Sequence, residues 1–171
     1  KINISVLAAL IQAGAMDQDD KDRSRLVLEA QSFNLLTDRE KRNFVKMGER
    51  FGFDILNSIS EVVETQALGD DNKPIMKQSR FETFKKKYSR YREIYKENIK
   101  HQKFSDWWYE NSLLGYSYSH ELRDCFIESL GGQVQSLKEI GELSNQTLFK
   151  TVCQVKDFFT KTSQNGNKYM L

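Results

Sequence analysis

Apolar residues in the first half of the chain recur three and four positions apart, the spacing that gathers them on one side of an α-helix. Val6, Leu7, Leu10 and Ile11 form the first stripe, with Asn3 placed to cap it and Gly14 to end it. An acidic turn, Asp17-Gln-Asp-Asp-Lys-Asp22, precedes a helix from about Arg23 on which Leu26, Ala30 and Phe33 share a face. Negative charge there complements the positive end of the helix dipole. Thr37-Asp-Arg-Glu40 reads as a capping box and predicts a third helix with Phe44, Met47 and Phe51 inward, Lys41, Arg42, Lys46 and Arg50 outward, and Gly52 as its stop. Asp54 opens a fourth, with Ile55, Ile59, Val62 and Val63 inward.

Gly69-Asp-Asp-Asn-Lys-Pro74 breaks this rhythm, because proline removes a donor and restricts the residue before it. One long helix is expected from Gln78 to Phe104, where Phe81, Phe84, Tyr88, Tyr91 and Tyr95 are spaced 3, 4, 3, 4. A seam of that period reads as core and not as a set of base-stacking platforms. Ser105-Asp106 is expected to cap a helix holding Trp107, Trp108 and Tyr109 and ending at Leu114-Gly115. Ser119 is expected to begin another through Leu122, Phe126 and Leu130 to Gly131-Gly132, and residues 136–143 a last short turn. Beyond Asn145 the pattern switches. Residues 147–160 are β-branched and aromatic, and Asn165-Gly166 is a turn signal before 168–171. The expected fold is mainly α, a helical domain followed by an incomplete β-hairpin. Its expected segments are 1–68, a linker at 69–77, a second helical region at 78–145 and the hairpin at 146–171.

Composition narrows the class. A chain of 171 residues buries one core, or one core and a small appendage. With 39% hydrophobic and 29% charged residues and a single proline, it leaves little room for a long disordered linker. Cys125 and Cys153 form no CxxC, and His101 and His120 have no metal-ligand spacing with either, so free thiols in a reducing, cytoplasmic setting are expected and a zinc site is not. No apolar run reaches the roughly 20 residues of a membrane span, no signal peptide is recognisable, and no membrane partner is expected. The first residue is Lys1 and the last residues fall inside the second strand, so a piece of a longer chain is expected.

The net charge of +2 conceals a strong polarity. From Lys77 to Lys103 there are ten Lys and Arg against Glu82, Glu93 and Glu97, a surplus of seven that leaves the rest of the chain at −5. Such a rail suits a nucleic-acid backbone, while the plainer reading is the solvated face of a long amphipathic helix. The small-residue hairpin Ala13-Gly14-Ala15 offers a second candidate, since it lets a phosphate approach backbone N–H groups at the start of the next helix. Its plainer reading is an ordinary glycine past a helix end. The candidate phosphate contacts are the Gly14 and Ala15 backbone, Lys21, Arg23 and Arg25, with Lys85, Lys86 and Lys87 as a second patch. No catalytic motif accompanies them. There is no GxSxG, P-loop or HExxH, and His120 and Cys125 lie about 140° apart around a helix.

Three separated stretches resemble one family. Leu7-Ala-Ala-Leu-Ile-Gln-Ala-Gly-Ala-Met-Asp17 with Arg23 to Leu28 is similar to the helix-hairpin-helix segment of the bacterial replicative DNA polymerase III α subunit, the C-family polymerases. Glu110-Asn-Ser-Leu-Leu-Gly-Tyr-Ser-Tyr-Ser-His-Glu-Leu122 resembles that family's E-x-x-L-L-G-x-Y-L-S-G-H-P-L, without its glycine and with Glu121 for its proline. Residues 152–170, with Thr162 and the Asn165-Gly166-Asn167-Lys168 turn, resemble the opening hairpin of the family's OB-fold, one residue longer in the turn. These departures fit a divergent copy, viral or plasmid-borne.

The resemblance implies a parent that is a DNA-directed DNA polymerase, a nucleotidyltransferase using magnesium. Its catalytic aspartates would lie upstream of Lys1, so this segment would carry no catalytic residue and need no cofactor itself. It would touch double-stranded DNA leaving the active site without reading sequence. The family's sliding-clamp contact is not transferred to named residues, because Gln66-Ala-Leu68 lacks the terminal aromatic and Gln78-Ser-Arg-Phe81 has arginine before its apolar anchor. The alternative is a scaffold whose long helix docks the sliding clamp or clamp loader and ignores DNA.

Overall fold

The computed structural model describes residues 2–18, 22–69 and 71–170. It is mainly helical and divides into two compact units, Lys1–Ser119 and His120–Leu171. The first unit holds α1 (Ile4–Gln12), α2 (Arg23–Asn34), α3 (Asp38–Gly48), α4 (Ile55–Thr65), α5 (Gln78–Lys100) and α6 (Gln102–Leu114). The second holds α7 (Leu137–Gly141) and a two-stranded antiparallel pair, β1 (Thr160–Thr162) and β2 (Lys168–Met170).

The starts of α1 to α4 lie at residues that cap them. Asn3 accepts from the Ser5 N–H, Asp22 from that of Arg25, and Asp54 from those of Leu56 and Asn57. Thr37 and Glu40 close a full capping box. Two of these carboxylates have a second role. Glu40, almost fully buried, accepts from Arg80 Nε at 3.0 Å and Nη2 at 2.9 Å, which fastens the start of α3 to that of α5. Burial raises the Glu40 pKa, but the bonds from Arg80 and Thr37 outweigh it and hold the group below its ordinary value. Asp54 likewise takes Arg25 Nη2 at 2.8 Å and ties α4 to α2.

The core lies where α2, α3, α4 and α5 meet, around Phe44, Ile59, Val62, Ile75, Phe81 and Phe84. Tyr88 completes the buried part of the α5 seam, with Tyr91 and Tyr95 packed at its edge. Helix α2 is central, touching α1, α4, α5 and α6. A helix surrounded on several sides has no single apolar stripe. Val27 and Leu28 are buried together with Arg23, Ser24 and Ser32, while Leu26, Ala30 and Phe33, expected to face the core, are only half-buried.

Other expectations need correcting. The stretch 69–77 is no linker but part of the first unit: Ile75 and Met76 are buried, and the Ile75 N–H donates to the Ala67 carbonyl at 3.0 Å. The long helix stops at Lys100, four residues early, because His101 at φ −131°, ψ 48° leaves helical geometry. The next helix starts at Gln102, without a side-chain cap, so Ser105 and Asp106 lie inside it. Ser105 Oγ instead donates to the Asn98 carbonyl at 3.2 Å and braces the elbow.

In the second unit the helix expected from Ser119 is reduced to one tight turn, Leu122–Cys125, followed by irregular turns to Gly132. Its stripe is only half-buried and Leu130 is exposed, so packing does not offset the cost of helix nucleation. Of the strand expected over 147–160, only Thr160 is paired. A strand needs a partner ladder, and β2 supplies one for three residues, with Thr160 opposite Met170 and Thr162 opposite Lys168. The turn between them is set by Gly166 at φ +80° and by the Ser163 N–H donating to the Asn167 carbonyl at 2.8 Å.

Ile59 is fully buried at the centre of this core. Ile59→Ala is expected to cost about 2–5 kcal/mol in a urea denaturation series, from the lost transfer energy and the cavity left behind. The exposed control Val45→Ala is expected to stay within about 0.5 kcal/mol.

Candidate nucleic-acid interface

The hairpin after α1 is closed by its own backbone. The Ala15 N–H donates to the Leu10 carbonyl and the Gly14 N–H to that of Ile11, both at 3.0 Å, the two bonds of a Schellman motif. Gly14 sits at φ +83°, and a Cβ there would overlap the Tyr118 hydroxyl and lie 2.7 Å from Arg23 Nη2. The small residue therefore makes room for Tyr118 and Arg23. Both backbone donors expected to meet a phosphate are already used, and Asp22 caps the start of α2 with a carboxylate of its own.

Arg23 occupies the first position of α2, where a cation works against the helix dipole. It is compensated by a dense set of acceptors. Nε and Nη2 bind the two Asp17 carboxylate oxygens at 2.8 and 2.5 Å, and Nη1 reaches Glu110 Oε1 at 2.6 Å. Nη2 also donates to the Tyr118 hydroxyl at 3.1 Å, which in turn donates to the Ala13 carbonyl at 3.0 Å, and the guanidinium lies 5.6 Å from the Tyr118 ring centre. The Arg23 side chain keeps 7% of its surface and Glu110 none. Asp17 raises the Arg23 pKa against the opposing effect of burial.

Glu110 is the buried anchor on α6. Its Oε2 accepts from Ser117 Oγ at 2.6 Å and from the N–H groups of Tyr118 and Ser119 at 2.9 and 3.1 Å. Burial by itself pushes its pKa up. Bonds from Ser117, Arg23 and Ser119 win and hold it down at about 2.

The expected phosphate contacts thus have different surroundings. Arg23 is enclosed by carboxylates and presents almost no surface. Arg25 is two-thirds covered and paired with Glu29 at 3.1 Å and Asp54 at 2.8 Å. Lys21 lies outside the described residues. Lys85, Lys86 and Lys87 are exposed on α5 and form no ion pair among the described residues, with Lys85 6.0 Å from the Phe81 ring centre. Hairpin and lysines form no single cluster: the first is a closed internal network and the second an open cationic surface. Glu110, Asp17 and Tyr118 are partners of Arg23 that residue types alone do not announce. The available signal was Arg23 itself, since a cation at a helix start calls for a nearby carboxylate.

Among the described residues no group of three or more His, Cys, Asp or Glu is placed to hold a metal ion, and no helix is long and apolar enough to cross a membrane. Compared with protein-family models, curated proteins and solved structures, the chain matches none.

Because Glu110 titrates at about 2 in the fold against an ordinary 4.5, its contribution is complete above pH 4.5 and is lost as pH falls toward 2. Glu110→Gln, which removes the fully buried carboxylate facing Arg23 and leaves it paired with Asp17 alone, is expected to cost about 3 kcal/mol at pH 7 and to flatten the decline of stability between pH 4.5 and 2, as read by urea titrations at stepped pH. Gly14→Ala combines a left-handed backbone with a steric overlap and is expected to lose more than about 1 kcal/mol in the same assay.

Proposed function

We propose that this chain is a helical module of a C-family replicative DNA polymerase α subunit and that it grips the backbone of duplex DNA without reading its sequence. One observation carries the reading. The two segments that carry most of the resemblance, one around Gly14, Asp17 and Arg23 and the other from Glu110 to Ser119, converge on one buried ion-pair network. Motifs far apart in sequence that complete each other's hydrogen bonds behave as one structural unit. In this reading the helix-hairpin-helix element serves as a brace, and the phosphates are met by the exposed Lys85, Lys86 and Lys87. The β1–β2 pair is the opening hairpin of an OB-fold. Nucleotidyl transfer, with its magnesium, belongs to the parent's catalytic domain.

A second reading, a scaffold that docks the clamp or clamp loader without DNA, is favoured by a different surface. The α5 seam is committed to the core, but Val6 and Leu10, four residues apart on α1, are 54% and 44% exposed, and Ile2 just before the helix is 69% exposed.

Duplex binding measured against salt separates the two. Replacing Lys85, Lys86 and Lys87 together by alanine is expected to weaken binding and to reduce the slope of log K against log salt by up to about three. An unchanged slope rules out the duplex grip on these lysines, and binding of the clamp by a chain that ignores DNA supports the scaffold.

A further inference from the structure

The elbow between α5 and α6 forms an open depression of about 380 Å³ lined by Glu97, Asn98, His101, Phe104, Ser105, Trp108 and Tyr109. Its volume lies within the roughly 300–1,000 Å³ of small-ligand clefts. The walls are aromatic and held in place. Phe104 stacks on the buried Trp107 at 5.8 Å and 15°, and Trp108 tilts against Phe104 at 6.3 Å. The Tyr109 hydroxyl accepts from Asn98 Nδ2 at 2.5 Å. Trp108 nevertheless leaves 49% of its surface open, an unusual exposure for the largest side chain in a braced corner.

Charge decides what this cup suits. Lys87 and Ile94 are seven residues apart, and Arg90 and Glu97 likewise, so one exposed side of α5 leads from two cations toward the cup. Arg90 and Lys87 precede Asn98 by about 12 and 16 Å of helix rise. The carboxylates near this path are compensated, Glu97 by Lys100 at 2.7 Å and Glu93 by Lys96 at 2.8 Å. A flat aromatic ligand followed by negative charges fits this arrangement.

We propose that the α5–α6 elbow seats one unpaired base of a single-stranded nucleic acid, stacked on Trp108, while Arg90 and Lys87 meet phosphates further along the same strand. Every base has a π-face, so the cup tolerates any sequence, and the cationic side of α5 gives the contact its direction. The site shares Lys87 with the duplex grip but takes a different ligand.

Fluorescence anisotropy of a labelled twelve-residue oligothymidylate and of a labelled duplex, each titrated with the whole chain at low salt, tests it. Trp108→Ala is expected to weaken oligothymidylate binding about ten-fold and to leave duplex binding within about two-fold, while Trp108→Phe restores most of the loss. Circular dichroism confirms that both variants fold. Equal oligothymidylate affinity in wild type and Trp108→Ala overturns the cup, and so does a wild-type chain that binds only duplex. Binding of oligothymidylate alone, dependent on Trp108, upholds the cup and removes the duplex grip. If Trp108 is needed for a protein partner and not for oligothymidylate, the cup is likewise overturned.

Discussion

The first unit depends on a buried charge that is satisfied from both ends. Arg23 alone at the start of a helix would be destabilising twice over, once against the dipole and once through desolvation. Glu110 alone and fully buried would protonate. Brought together, with Asp17, Ser117, Tyr118 and Ser119 filling the remaining donor and acceptor positions, they connect α1, α2, α6 and the chain after α6. Only Arg23 and Glu110 are buried, and each loses bonds it cannot replace with water when the other is removed, so the network constrains far more sequence than this one pair suggests.

This arrangement also accounts for the roles of neighbouring glycine and tyrosine. Gly14 has two independent requirements, a left-handed backbone that ends α1 and an absent side chain that admits the Tyr118 hydroxyl. Small residues in a helical hairpin suggest an approach by phosphate from outside, yet here the approaching group belongs to the protein. The cationic face of α5 is built differently. Its lysines stand on solvent because the opposite side of the helix is filled by Phe81, Phe84 and Tyr88.

Local chemistry was legible from the sequence. Asn3, Thr37 with Glu40, Asp54 and the aromatic seam each act through neighbours a few residues away, and each has the expected place, whereas α3 ends at Gly48 and Gly52, expected to stop it, instead follows a tight turn over Glu49–Phe51. What depends on distant partners was not. Arg23 reads as a ligand contact until Glu110, 87 residues later, is seen against it. The expected stripe on α2 fails because its surroundings are a property of the whole bundle. The α5–α6 break has no glycine or proline to announce it, and residues 147–159 carry strand composition without a ladder to use it.

Glu40 and Asp54 suggest how this bundle assembles. Each carboxylate both starts its own helix and holds an arginine from another, so forming the first turn and docking it are parts of one event. A helix that begins without its neighbour forgoes the arginine bonds that brace its capping carboxylate. Local order and tertiary order are thereby made interdependent, and fraying at these helix starts is coupled to separation of the helices themselves.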